Sequence, residues 1–256
     1  LAKKGVLFTH SCVTTSICMV SRATLFTGQY YSRHQTYSSW FNITMYEGDN
    51  WKHTLYPTLK KAGYYVGFFG KWHHHDPPQN KIPTFDEFKN YYGSHYLDRD
   101  GRERHVTELN LEDGMDFLKN RPKGKPFALT ISFFATHAED GNSERYRPMK
   151  QSMHLYANET VPHPKTFTQK HWEEMPYFFD DRNFGRERFY GRYSSEELYQ
   201  KMMKNTFRMA TEVDTASGQL IDELERQGLL NDTLVIFTTD NGNFHGHHGL
   251  AEKWYS

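Results

Sequence analysis

Apolar residues along this chain gather into short unbroken runs that alternate with stretches spaced as on one face of a helix. Val6-Leu7-Phe8-Thr9 is such a run and predicts a buried strand. Thr54 to Ala62 predicts a helix, with Leu55 and Leu59 on one face, Pro57 in the first turn and Gly63 as the stop. Tyr64-Tyr65-Val66-Gly67-Phe68-Phe69 predicts a strand that delivers Gly70-Lys71-Trp72-His73 at its end. Asp98-Arg99-Asp100-Gly101 signals a hairpin turn. A helix capped by Thr107 is expected through Leu118, with Leu111, Met115 and Leu118 sharing a face. Phe127 to Phe134 predicts a strand buried on both sides, with His137 just past it. Glu196 to Gly228 reads as helix, in one piece or two, striped by Val213, Leu220, Ile221 and Leu224. Leu234-Val235-Ile236-Phe237 is the clearest buried strand of the pattern, and Asp240-Asn241 follow it directly.

Strands alternating with helices predict an α/β sheet with helices on its faces. In open sheets, ligands bind beyond the carboxyl ends of strands. Lys71, His73, His137, Asp240 and Asn241 all fall just after predicted strands, so five polar residues from three strands are expected to converge on one edge.

Composition narrows the partners. Lys+Arg and Asp+Glu are both 31 in a chain of 256 residues, so global charge gives no case for nucleic acid or an anionic membrane. No apolar run approaches the roughly 20 residues that span a bilayer. The two cysteines, Cys12 and Cys18, exclude a disulfide framework; paired with each other, they would remove Cys18 from chemistry. Asn-x-Thr sites at Asn42, Asn158 and Asn231 lean toward the secretory route. Leu1 to Gly5 reads as the last turn of a helix, which suggests an internal fragment of a longer protein.

The candidate chemistry starts at Cys18-Met19-Val20-Ser21-Arg22, leading into a helix from Ser21 to Phe26 that Gly28 ends. A helix start and a nearby cation lower a thiol's pKa, so Cys18 is either a reactive thiol or a packed one. Asp240-Asn241-Gly242 offers oxygen ligands for a hard cation, or forms an Asx turn. Within His73-His74-His75 successive side chains point to opposite faces, so one functional histidine, His73, is expected rather than a metal tract. His245, His247 and His248 read the same way, with His248 in a supporting role.

The Cys18 segment with Thr27-Gly28 resembles the signature of the type I sulfatases, Cys-x-Pro-Ser-Arg followed by Thr-Gly. Four further segments match in family order: Gly70-Lys71-Trp72-His73, Thr136-His137, Asp240-Asn241-Gly242, and Gly246-His247-His248-Gly249-Leu250 running on to Lys253. The resemblance implies an alkaline-phosphatase-like central mixed β-sheet flanked by helices. Residues 1–256 would be a partial catalytic domain lacking the first strand, with its two metal-binding aspartates, and the smaller C-terminal subdomain. It implies that Cys18 is oxidised to formylglycine, whose hydrate attacks sulfur. Arg22 would hold the hydrate, Lys71 would bridge it and the sulfate, and His73 would take the proton that lets sulfate leave. His137 and Lys253 would contact sulfate and protonate the leaving oxygen. Cys18, Asp240 and Asn241 would be metal ligands for calcium, ahead of magnesium, and binding by these residues alone would be weak. The implied partners are a sulfated carbohydrate and the formylglycine-generating enzyme, and the implied location is lysosomal or extracellular. Val20 stands where that enzyme reads proline or alanine, and Thr136 where the family often has proline. Two alternatives follow: a catalytically impaired protein that binds sulfated glycans, and a phosphoester or phosphonate hydrolase of the same superfamily. Arg182, Arg186, Arg188 and Arg192, set among Phe184, Phe189 and Tyr190, are a binding patch for sulfated sugars or a solvated loop.

Overall fold

The computed structural model of this chain describes residues 1–36, 44–72 and 76–253. Helix α1 (Cys18–Thr27) begins at the thiol, three residues earlier than the pattern suggests. It ends at Gly28, whose left-handed backbone returns its N–H to Thr24 O at 2.9 Å. A short α2 (Tyr31–His34) and then α3 (Leu55–Lys61) follow. Strand β1 (Tyr65–Gly70) leads to β2 (Glu87–Asn90), and a hairpin of β3 (Tyr96–Arg99) and β4 (Arg102–His105) turns at Asp100-Gly101. Next come α4 (Val106–Asn120), β5 (Phe127–Ser132), α5 (Gln169–Glu173), α6 (Phe184–Tyr193) and α7 (Glu196–Arg226), the last a single helix of 31 residues.

The architecture is α/β. Strand β1 sits between β2 and β5 and pairs in parallel with both, while among the described residues antiparallel pairing is confined to the β3–β4 hairpin. Successive side chains of a strand point to opposite faces, and β1 follows that rule. Val66 and Phe68 enter an aromatic core with Phe26, Trp51, Tyr56, Trp72 and Phe85. Tyr65 and Phe69 enter the opposite core, built with Phe117, Leu118, Leu220 and Leu224 of α4 and α7. Gly67 lies between these, where an added Cβ would meet the Phe117 ring at 2.5 Å.

Four expectations are corrected. Val6 to Thr9 and Leu234 to Phe237 form no strand, and Phe8 and Ile236 are 78% and 74% exposed. An apolar run becomes a strand only where a neighbour completes its ladder, and the described sheet offers these runs no such partner. Of the second run, Val235 alone packs on the α4–α7 core. Thr107 does not cap α4. His105 does, accepting from Thr107 N while Glu108 reaches back to the His105 N–H. Leu1 to Gly5 holds a single 3-10 turn over Ala2–Lys4. Asn42 and His73 lie outside the described residues.

Candidate active site

Cys18 is the first residue of α1 and only 7% exposed. Arg22, one turn on, shares its face of the helix and ties three elements together. Its Nε and Nη2 both meet Asp240 Oδ2 at 2.9 Å, and its Nη1 donates at 2.6 Å to Lys71 O and to Ser132 Oγ. Ser132 Oγ in turn donates to Lys71 O at 2.8 Å. The ends of β1 and β5 are thus locked to α1 and to the loop after residue 239.

Lys71 owes its place to its two neighbours. Gly70 has φ +109°, and a Cβ there would lie 2.0 Å from Ser132 O. Trp72 is fully buried, stacked on Phe26 at 4.5 Å, with its ring N–H donating to Tyr46 OH at 2.7 Å. With Trp72 anchored in the aromatic core, Lys71 points the other way, between the rings of Tyr92 and Phe134 at 5.6 and 5.8 Å.

Burial, aided by Arg22 and Lys253 and opposed by Cys18 and Asp240, pushes the Lys71 ammonium down to about 8. Burial would raise the Asp240 carboxyl, but Arg22, Lys71 and Lys253 outweigh it and hold the group below the usual carboxylate range. His137, placed by its N–H to Phe134 O just beyond β5, is pushed well below its ordinary value by burial and then by Lys71 and Lys253. Its Nδ1 lies 2.6 Å from Ala138 O. A carbonyl only accepts, so Nδ1 carries the hydrogen and Nε2 presents a lone pair. Cys18, Arg22, Lys71, His137, Asp240 and Lys253 therefore form one electrostatic unit.

Asn241 Oδ1 is buried without a hydrogen-bond partner, and Asp240 turns its carboxylate to Arg22 rather than into an Asx turn on Gly242. A carboxylate and an orphaned amide oxygen suit a hard cation, which takes six to eight oxygens. Among the described residues no cluster of three or more His, Cys, Asp or Glu could hold a metal. These donors fit part of a calcium shell and do not enclose it.

Other expectations change. Cys12 and Cys18 are both free. The arginines are neither a binding patch nor a solvated loop, because Phe184–Tyr193 is helix α6. Arg186 is buried against Trp172 and Tyr190 at 4.4 and 4.5 Å, Arg192 is buried, and exposed Arg182 pairs with Asp180. His247 bonds Thr166 at 2.9 Å and the His248 N–H donates to Thr166 O, so they fasten their loop to the segment before α5. Ser132, Tyr92 and Glu252 escape sequence reasoning; only Ser132, at the end of a legible strand, left a signal.

The Sulfatase family model matches residues 1–256. An N-acetylglucosamine-6-O-sulfatase of Bacteroides thetaiotaomicron is 23% identical, over 99% of this chain and 54% of its own length. Among solved structures, a protein in complex with its substrate D-glucosamine-2-N,6-O-disulfate superposes with a TM-score of 0.70 at 20% identity, covering 96% of this chain and 62% of the other. A phosphonate monoester hydrolase from Silicibacter pomeroyi gives 0.64 at 19% identity, covering 93% and 56%. The chain spans about half the length of the curated relative it matches. With a family match along its whole length and a cysteine and arginine gathered beside buried lysines, the chain belongs to the sulfatase family.

Proposed function

We propose that this protein is a sulfuric ester hydrolase that releases sulfate from a sulfated carbohydrate. The observation that carries the reading is the buried, net cationic unit around residue 18. Asp240 compensates Arg22, which leaves Lys71 and Lys253 to meet an anion in a site shielded from water. Oxidised to formylglycine by a modifying enzyme, position 18 would supply the nucleophile, and a calcium ion on Asp240, Asn241 and residue 18 would neutralise charge on the sulfuryl oxygens. Arg22 orients the group at position 18, and Lys71 binds a sulfuryl oxygen. His137 is neutral in the free pocket because burial, and then Lys71 and Lys253, disfavour its charged form. An arriving sulfate ester opposes the charge of Lys71 and Lys253, so Nε2 takes a proton from solvent as the ester enters and gives it to the departing oxygen, which Lys253 also contacts. His73 is assigned the remaining proton transfer by resemblance.

The sugar class is supported by the names of the relatives. A secretory destination is supported by Asn158 and Asn231, both exposed. The test is sulfate release by the full-length protein from N-acetylglucosamine 6-sulfate, with the mass of the Cys18 peptide read in parallel. Release that disappears in Cys18→Ala, with formylglycine at position 18, is expected. Binding without release from protein bearing unmodified cysteine makes it a glycan-binding relative, the outcome Val20 raises. Faster turnover of a phosphonate monoester than of any sulfate ester makes it a phosphonate hydrolase, the reading that the Silicibacter neighbour favours.

A further inference from the structure

We infer that Arg188 and Arg192 of α6 act through Glu252 to position Lys253 in the active site, a role that rests on the sulfatase reading above. Glu252 immediately precedes Lys253 and is itself buried. Its backbone is left-handed at φ +62°, a conformation that costs an L-residue energy and persists only where the surroundings enforce it. Two ion pairs and three backbone hydrogen bonds enforce it. Arg192 and Arg188, one helical turn apart on the same face, both close on the Glu252 carboxylate, one on each oxygen. Asp140 also meets the pair, 3.5 Å from Arg192 Nη2 and 3.7 Å from Arg188 Nη2. The backbone on either side is zipped down as well. Ala251 N–H donates to Gly185 O at 2.9 Å, Phe244 N–H to Glu252 O at 2.8 Å, and Glu252 N–H to Asn243 Oδ1 at 3.1 Å.

Stability alone is a weak reason for this arrangement. Burying charges costs desolvation that an apolar cluster of the same volume avoids. Geometry is the better reason. Lys253 is buried close enough to feel Lys71, whose repulsion pushes it outward, and Asp240, which draws it in but is already paired with Arg22. A residue whose preceding carboxylate is gripped by two arginines cannot retreat. The same clamp brings Arg188 close enough for His137 to feel its charge. One helix thus sets the position of Lys253 and part of the field on His137.

The experiment uses the full-length protein and two substrates, 4-nitrophenyl sulfate, whose leaving group needs no proton, and N-acetylglucosamine 6-sulfate, whose alkoxide does. A displaced Lys253 withdraws help from the leaving oxygen, so Glu252→Gln and Arg192→Ala should each lower kcat on the sugar sulfate about 30-fold or more, against under about threefold on the aryl sulfate. Arg192→Lys should restore part of the loss. Lys253→Met should show the same substrate split and add little to Glu252→Gln. Arg188→Ala, less buried, provides a milder variant if Arg192→Ala does not fold. Equal losses on both substrates, or losses that add to Lys253→Met, overturn the inference. A wild-type protein inert on every sulfate ester overturns the sulfatase reading, and this inference with it.

Discussion

Lys71 concentrates the cost of building the site. Holding an ammonium whose pKa has fallen from 10.5 to about 8 penalises the folded state by roughly 3 kcal/mol at neutral pH. Lys71→Met keeps the length of the side chain and removes that penalty between Tyr92 and Phe134. It is expected to raise the thermal midpoint while cutting kcat by about 10²-fold or more, read by calorimetry and sulfate release. Gly70 carries the opposite kind of constraint. Gly70→Ala forces a side chain onto Ser132 O in a left-handed backbone and should cost roughly 2–4 kcal/mol in denaturant unfolding. Lysine at position 71 was legible from its motif. Its burial between two rings was not, because Tyr92 and Phe134 come from segments 21 and 63 residues away in sequence.

Among the elements, β1 and α4 show how packing and capping hold the site in place. Trp72→Ala empties the centre of the aromatic core beside β1, at a cost of about 3–5 kcal/mol, and frees Lys71 from its anchor. Stability and turnover should therefore fall together, whereas Lys71→Met separates them. Helix α4 adds a pH dependence. His105 accepts from Thr107 N at 3.2 Å through Nδ1 and meets Arg147 O at 3.1 Å through Nε2, which uses up its neutral form. Burial, and then the neighbouring His95, push it from 6.5 down to about 4. Between those values the unfolded chain binds the proton and the folded one does not, so stability falls as pH drops from 6.5 to 4, by roughly 3 kcal/mol for this residue. In urea unfolding, His105→Asn keeps a cap and should flatten that slope. The boundaries of β1 and α3 follow from a hydrophobic run and a stop glycine, whereas β5 stops at Ser132, two residues short of its run, and is half-buried rather than buried along its length. The cap of α4 was misplaced because a histidine can cap only where tertiary contacts bury its ring and fix its tautomer.

Across the whole molecule, two strongly apolar segments remain on the outside. Leu7, Phe8, Leu234, Ile236 and Phe237 are all exposed, which is the condition under which apolar surface binds dyes and other chains. A polypeptide of residues 1–256 is expected to bind anilinonaphthalene sulfonate and to self-associate in sedimentation. Phe8→Ser and Ile236→Ser together should reduce both without lowering the thermal midpoint, because neither side chain enters a core.

The sequence by itself determined the α/β class, the principal helices and strands, and the chain order of Cys18, Arg22, Lys71, His137, Asp240 and Lys253. Those features are local: they depend on periodicity, stop residues and motifs that a single segment carries. Tertiary structure alone decided which apolar runs became strands, because a ladder needs a partner that no run contains. It also decided that the arginine segment forms α6 and turns Arg186 and Arg192 inward, since such a segment reads as a solvated loop or a binding patch until Glu252 and Asp140 arrive from the loop before Lys253 and the one after His137. Periodicity records which side chains avoid water, and it carries no record of which charges will be neutralised when distant segments meet.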